Sequence, residues 1–220
     1  MYYRVRDGLS WCAGDGRVVF MDLLADRYFR LRPEDERAFR DWVQWGAAPQ
    51  EDPGGLIAAG VLVPCDAPQP PLAMTAIALP TVDLAEQDNE RARASDIMRG
   101  LVAQRRAATA VRRGELSRLI AGIRTGPRPG RAPVGDADRV ASRIAAAFAA
   151  PPLCFRKSGQ CLPRALAASA LCRRTGIAPA LVFGVRLEPF AAHCWLQIGS
   201  TMIVGDLDQA RMFTPILVVP

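Results

Sequence analysis

The chain has one histidine, His193, and one lysine, Lys157, among 220 residues. Its cysteines, at positions 12, 65, 154, 161, 172 and 194, form no Cys-x-x-Cys pair, and a single imidazole is all they could recruit as a further ligand. The sequence therefore speaks against a bound metal. No apolar run approaches the roughly 18 residues that read as a bilayer span, and Met1-Tyr2-Tyr3-Arg4-Val5-Arg6 lacks the apolar core of a secretory signal. No Gly-x-x-x-x-Gly-Lys-Ser/Thr phosphate loop is present, so no recognisable motif calls for a nucleotide. With 50% hydrophobic residues and a mean hydropathy near zero, the chain reads as a soluble, globular, cytoplasmic protein with no membrane span. In that compartment its thiols are expected to be free, and either buried or reactive.

The net charge of +6 is unevenly spread. Residues 1–64 carry eight Arg against ten Asp or Glu, residues 65–160 fifteen basic against nine acidic, and residues 161–220 five against three. The basic surplus thus falls in the middle, around Arg105-Arg106 and Arg112-Arg113, where a solvated helix face is the simplest reading. An acidic first section argues against a DNA-binding regulator, since duplex binding draws much of its affinity from basic side chains on phosphates.

Leu9-Ser10-Trp11-Cys12, Arg17-Val18-Val19-Phe20-Met21 and Arg27-Tyr28-Phe29-Arg30-Leu31 are short β-rich runs, with a Gly14-Asp15-Gly16 turn between the first two. Pro33-Glu34-Asp35-Glu36 is a proline-led acidic first turn, after which Ala38, Phe39, Trp42, Val43 and Trp45 fall mostly on one helical face. A short helix near Gly55–Gly60 and the apolar Val61-Leu62-Val63 complete a winged-helix-like domain over residues 1–64. Residues 65–85, rich in Ala and Pro, read as a linker. Residues 86–220 form the second domain. Helical composition resumes from about Glu86 to Ile123, with breaks expected near Gly100 and Gly114, and Asp136 is placed to cap a further helix after a Pro/Gly-rich loop over Gly126–Gly135. The fold class is α+β.

His193 lies in a stretch that reads as a tight hairpin. Gly199-Ser200 as a two-residue type II′ turn sets Ile198 opposite Thr201 and, further back, His193 opposite Asp206. Facing side chains on one sheet surface lie about 4.5–5.5 Å apart at Cβ, close enough for a carboxylate to hold an imidazole in one tautomer. Asp208 shares the parity of Asp206 and ranks second. A histidine so braced needs a group to deprotonate. Cys161 stands where Ser158-Gly159-Gln160-Cys161-Leu162-Pro163 enters a helix, and unpaired N–H groups at a helix start favour a thiolate. Cys194 alternates to the other face of its strand and reads as core. Cys172 shares a helix face with Cys161 but lies about 16 Å along it, while Cys154, in the preceding loop, could lie near.

These motifs carry a resemblance. Gly159-Gln160-Cys161 at a helix start, His193-x-Trp195 on a strand and Asp206 on the next strand resemble the core of the transglutaminase and papain-like superfamily. More narrowly, Cys161-Leu162-x-Arg164-Ala165-Leu166, Arg173-Arg174-Thr175-Gly176-Ile177, Gly184-Val185, Pro189-Phe190 and Ala192-His193-x-Trp195 resemble the lasso-peptide B proteins, the leader peptidases of ribosomally made lasso peptides. Ala165 departs from that pattern, where serine is expected, and touches packing more than chemistry. The resemblance implies a transglutaminase/papain-like cysteine protease domain, with Cys161 as nucleophile, His193 as proton relay, Asp206 as its orienting acid, and Gln160 with the Cys161 N–H as oxyanion donors. It also implies that residues 1–64 recognise the precursor's leader through Tyr28, Phe29 and Leu31, that a lasso cyclase resembling asparagine synthetase is a partner, and that ATP is required by the system. A transglutaminase-like acyl transferase uses the same residues, and a non-enzymatic winged-helix DNA-binding regulator is the alternative of a different class.

Overall fold

The computed structural model describes residues 2–14, 16–45, 55–69, 77–87, 91–126, 134–149 and 159–220. Cys154, Asp15 and most of the second Pro/Gly-rich loop lie outside them. The fold is α+β, and its contacts divide the chain into two units, residues 1–76 and 77–220.

In the first unit, β1 (Tyr2–Val5) is followed by an antiparallel meander of β2 (Leu9–Gly14), β3 (Arg17–Asp22) and β4 (Arg27–Phe29), then α1 (Pro33–Trp45), α2 (Gly55–Ala58) and β5 (Leu62–Cys65). β1 and β5 form a separate antiparallel pair, joining two runs that the sequence pattern left apart. The apolar stripe of α1 buries Phe39 and Trp42. Phe39 meets Phe20 at 4.9 Å and Trp11 at 5.2 Å between ring centroids, both edge-on, the geometry that aromatic quadrupoles favour. Phe29 stacks on Phe20 at 5.2 Å.

Two carboxylates turn into this unit. Glu36, in the acidic first turn of α1, is buried, accepting from the Val18 N–H at 2.9 Å and pairing with Arg40 at 2.9 Å. The reason is positional: the N–H at the open end of β3 needs an acceptor. Asp22 accepts from the Leu24 and Ala25 N–H groups, each at 3.1 Å, and from Arg6 at 2.7 Å, while Arg6 also donates to the Gly60 carbonyl. One guanidinium thereby ties β1 to the end of β3 and to the turn before β5.

The second unit holds β6 (Val82–Asp83), α3 (Ala94–Arg112), α4 (Leu116–Thr125), α5 (Val134–Ala149), α6 (Cys161–Arg174), β7 (Ala180–Arg186), β8 (Ala191–Ile198), β9 (Thr201–Val204), α7 (Leu207–Ala210) and β10 (Thr214–Val219). Its sheet runs β10-β7-β8-β9-β6, antiparallel except for the parallel β6–β9 contact. β7 and β8 are central, and Leu181, Val182, Trp195 and Leu196 on them are wholly buried. Helix α6 packs against β8 through a surface rich in small side chains, with Ala165, Ala167 and Ala168 buried.

Three expectations change here. Residues 77–85, read as linker, are built into the sheet: the Thr81 and Leu84 N–H groups donate to the Ser200 and Met202 carbonyls at 2.8 and 2.9 Å, giving the backbone of β9 partners on its outer side. Gly100 does not break the helix; it lies buried within α3, with the Phe148 ring 3.5 Å from where a Cβ would be, so it serves close packing. Gly114, at φ +72°, does end the segment. Helix α5 begins at Val134, which puts Asp136 inside its first turn rather than at the cap.

Burial alone would raise the Asp22 carboxyl, but the Ala25 N–H, Arg6 and the Leu24 N–H outweigh it and hold the group below its ordinary 3.8. Its contribution is therefore complete above that value and is lost as pH falls through the lower folded one. Asp22→Asn should cost roughly 1–3 kcal/mol at neutral pH, and the gap from wild type should close in acid; urea unfolding at several pH values measures it.

Candidate active site

Helix α6 begins without a side-chain cap. Gly159 takes φ +75°, a left-handed conformation open to glycine, Gln160 occupies the cap position, and Cys161 is the first helical residue. Pro163 sits in the first turn, where its missing N–H costs nothing. The Cys161 side chain is half-buried at a helix end whose N–H groups have no intrahelical acceptors. One turn on, Arg164 donates to the Phe148 carbonyl at 2.6 Å. Burial lowers the pKa of this guanidinium, and charge on Cys161 opposes the shift.

His193 lies on β8 directly opposite Gly184 of β7. Its imidazole packs against Trp195, 5.9 Å between centroids and 24° from parallel, and against Phe213 at 5.3 Å. The space for this arrangement comes from Gly184: a Cβ there would fall 2.7 Å from Trp195 and 2.9 Å from Phe213. Trp195 is itself pinned, its indole N–H donating to Gln197 at 2.7 Å, while the buried Gln197 amide donates to the Ala78 and Gly199 carbonyls at 2.8 and 2.6 Å. The His193 Nε2 is buried without a hydrogen-bond partner among the described residues. Burial pushes the imidazole below its ordinary 6.5; Asp206 works against that shift, and Arg164 adds to it.

The hairpin turn falls at Gly199-Ser200, with Ile198 opposite Thr201 and Gln197 opposite Met202. The register then slips by one, so that Leu196 faces Val204, and a Cβ on Gly205 would lie 2.9 Å from that of Trp195. This bulge overturns the direct pairing of His193 with Asp206. Asp206 stands beyond the end of β9, exposed, as the N-cap of α7; its carboxylate accepts from the Gln209 N–H at 2.9 Å and the Gln209 side chain at 3.1 Å. It acts on His193 through its charge. Asp208 is 92% exposed and pairs with Arg211 at 3.6 Å.

The other thiols are set apart by burial. Cys172 is pushed up to about 12 and Cys12 to about 11; Cys194 is raised well above the ordinary thiol range, first by burial and then by charge on Cys161. Cys65, in the first unit, lies 3.2 Å from the Ala67 carbonyl. Gln104, a buried residue of α3 that sequence reasoning passed over, donates to the Gln160 carboxamide oxygen at 3.0 Å; a lone glutamine on an amphipathic helix carries no sequence signal of its own. Among the described residues, no three His, Cys, Asp or Glu side chains are grouped to hold a metal ion. An apolar cavity of about 900 Å³ opens between α3, α4, α5 and the later turns of α6, and none of Cys161, His193 and Asp206 lines it.

In the first unit, Tyr28 pairs with Met21 and Phe29 with Phe20 across β3 and β4. Phe29 and Leu31 are half-buried against the aromatic core. β4 is an edge of its sheet among the described residues.

A model of the transglutaminase-like superfamily matches residues 81–218, from the first residues of the edge strand to the last strand of the second unit, and the chain belongs to that superfamily. No curated protein and no solved structure matches it. No helix among the described residues is long and apolar enough to cross a membrane.

Gly184→Ala should force Trp195 and Phe213 apart. We expect a loss of roughly 1–3 kcal/mol and a melting temperature lower by several degrees, followed by tryptophan fluorescence; an unchanged melt would mean the rings yield freely.

Proposed function

We propose that the chain is a cysteine peptidase that removes the leader from a lasso-peptide precursor before macrolactam formation. One observation carries the reading: within the superfamily match, Cys161 opens α6 beside Arg164, and the same guanidinium acts on the half-buried His193. A nearby cation favours neutral imidazole over imidazolium. His193 then takes the thiol proton as general base. Cys161 Sγ attacks the scissile carbonyl carbon, the C–N bond breaks as His193 returns the proton to the departing amine, and a thioester remains. Water, deprotonated by His193, releases the acyl group as a carboxylate. The oxyanion would be met by the Cys161 N–H and the Gln160 carboxamide.

Asp206 serves in this reading through its charge, stabilising the imidazolium as it forms. Its carboxylate, held by Gln209, would have to turn to reach the ring. Residues 1–64 would bind the leader as an added strand on the open edge of β4, with Tyr28, Phe29 and Leu31 beside it. A lasso cyclase of the asparagine-synthetase type would take the released core. The superfamily also supports a second reading, acyl transfer to an amine in place of water. Mass decides between them, since hydrolysis leaves a free leader and transfer leaves a linked product or loses ammonia.

The test is incubation with the precursor encoded beside this chain, with cyclase and ATP supplied, read by mass spectrometry. Cys161→Ala and His193→Ala should each abolish cleavage, with a fall in kcat of at least about 10³-fold, while leader binding by the first unit is retained. Peptide left intact by wild type and Cys161→Ala alike would overturn the peptidase reading.

The same reading predicts a pH profile. Because burial lowers His193, the base stays unprotonated into mildly acid solution, and the acid limb of kcat/KM should have its midpoint below 6.5. A midpoint above that value would mean another group titrates.

A further inference from the structure

We propose that Gln104 is a positioning residue for the oxyanion site, holding the Gln160 carboxamide by its oxygen so that the NH₂ end is left to face the reaction. The inference rests on the peptidase reading of Cys161. Gln104 lies on α3, 3% exposed, in line with Gly100 and Ala108 at successive turns of the buried face. Gly100 lets the Phe148 ring of α5 approach, and α3 and α6 pack along each other. A glutamine in such a seam loses its hydration and is stabilised there only by a partner; an apolar side chain of the same size would pack without that cost.

The partner is Gln160, 56 residues away, whose Oε1 accepts from Gln104 Nε2 at 3.0 Å. A carboxamide has one acceptor end and one donor end. With the acceptor committed to Gln104, both Nε2 hydrogens of Gln160 remain uncommitted among the described residues, on the residue immediately before the nucleophile. Without Gln104 the carboxamide can rotate and offer either end, and a carbonyl oxygen turned toward a developing oxyanion repels it. Catalysis of this kind depends on donors already aimed when charge appears, and the hydrogen bond from α3 supplies that aim. The contact is not a step in the reaction; it acts through Gln160.

The experiment is a double-mutant cycle on steady-state cleavage of a leader–core peptide by wild type, Gln104→Met, Gln160→Ala and the double variant, with circular dichroism of each. Gln160→Ala should lower kcat by roughly 10²–10³-fold and Gln104→Met by roughly tenfold, each with KM within about twofold, and the double variant should be no slower than Gln160→Ala. Gln104→Glu, the same size but able only to accept, gives a second route: it draws the Gln160 NH₂ toward itself, so kcat falls at least as far in the wild-type background and no further with Gln160→Ala. Losses that multiply in the double variant, a change confined to KM, or unchanged kcat in Gln104→Met and Gln104→Glu would overturn the proposal. Wild-type protein that leaves the peptide intact removes the peptidase reading and this one with it. Cleavage by wild type and by both Gln104 variants alike removes this one alone.

Discussion

Where β7 runs beside β8, the side chain that would face His193 is missing, and the arrangement of the second unit's candidate site depends on that absence. Gly184 makes room for the Trp195 ring and for Phe213, and these two rings are what the imidazole packs against. Trp195 is fixed in turn by Gln197, a buried amide with three hydrogen bonds, one of them to Ala78 in the segment leading into the edge strand. A run of contacts thus passes from that segment, through a hairpin turn and an indole, to one imidazole. Trp195 and Gln197 are each held by several contacts, and the imidazole packs on the rings they fix.

The electrostatics follow from the same packing. A half-buried imidazole among aromatic rings is poorly solvated, so its charged form is disfavoured at rest, and Arg164 presses in the same direction. Asp206 opposes this. On the proposed reading, a poorly solvated imidazole acted on by the Asp206 charge would be suited to accept a proton transiently. The neighbouring thiols are silenced by burial, which leaves Cys161 as the half-buried sulfur of the second unit's described residues.

The first unit uses a different device. Its aromatic centre is large for its length, and its polar stitches, Arg6–Asp22 and Arg40–Glu36, sit where strand ends and turns leave backbone groups without partners. The meander keeps β4 at an edge of its sheet among the described residues.

What could be read from the sequence was what neighbours in the chain settle among themselves. The two-residue turn at Gly199-Ser200, the helix entered at Cys161 behind a glycine, the meander strands of the first unit and the buried Cys194 all follow from local conformational preference and periodicity. Three matters did not. The position of Asp206 turned on a single extra residue in β9, and a one-residue slip moves every later side chain relative to the partner strand. The inward turn of Glu36 was set by an unpaired N–H on a strand eighteen residues earlier, and the pairing of Gln104 with Gln160 by the approach of two helices. The sequence by itself determined which local elements form and which candidate residues they carry. Only the tertiary structure decided which of those residues meet, because a bulge, a buried acceptor or a helix seam is chosen by the whole packed unit and leaves no mark on the residues beside it.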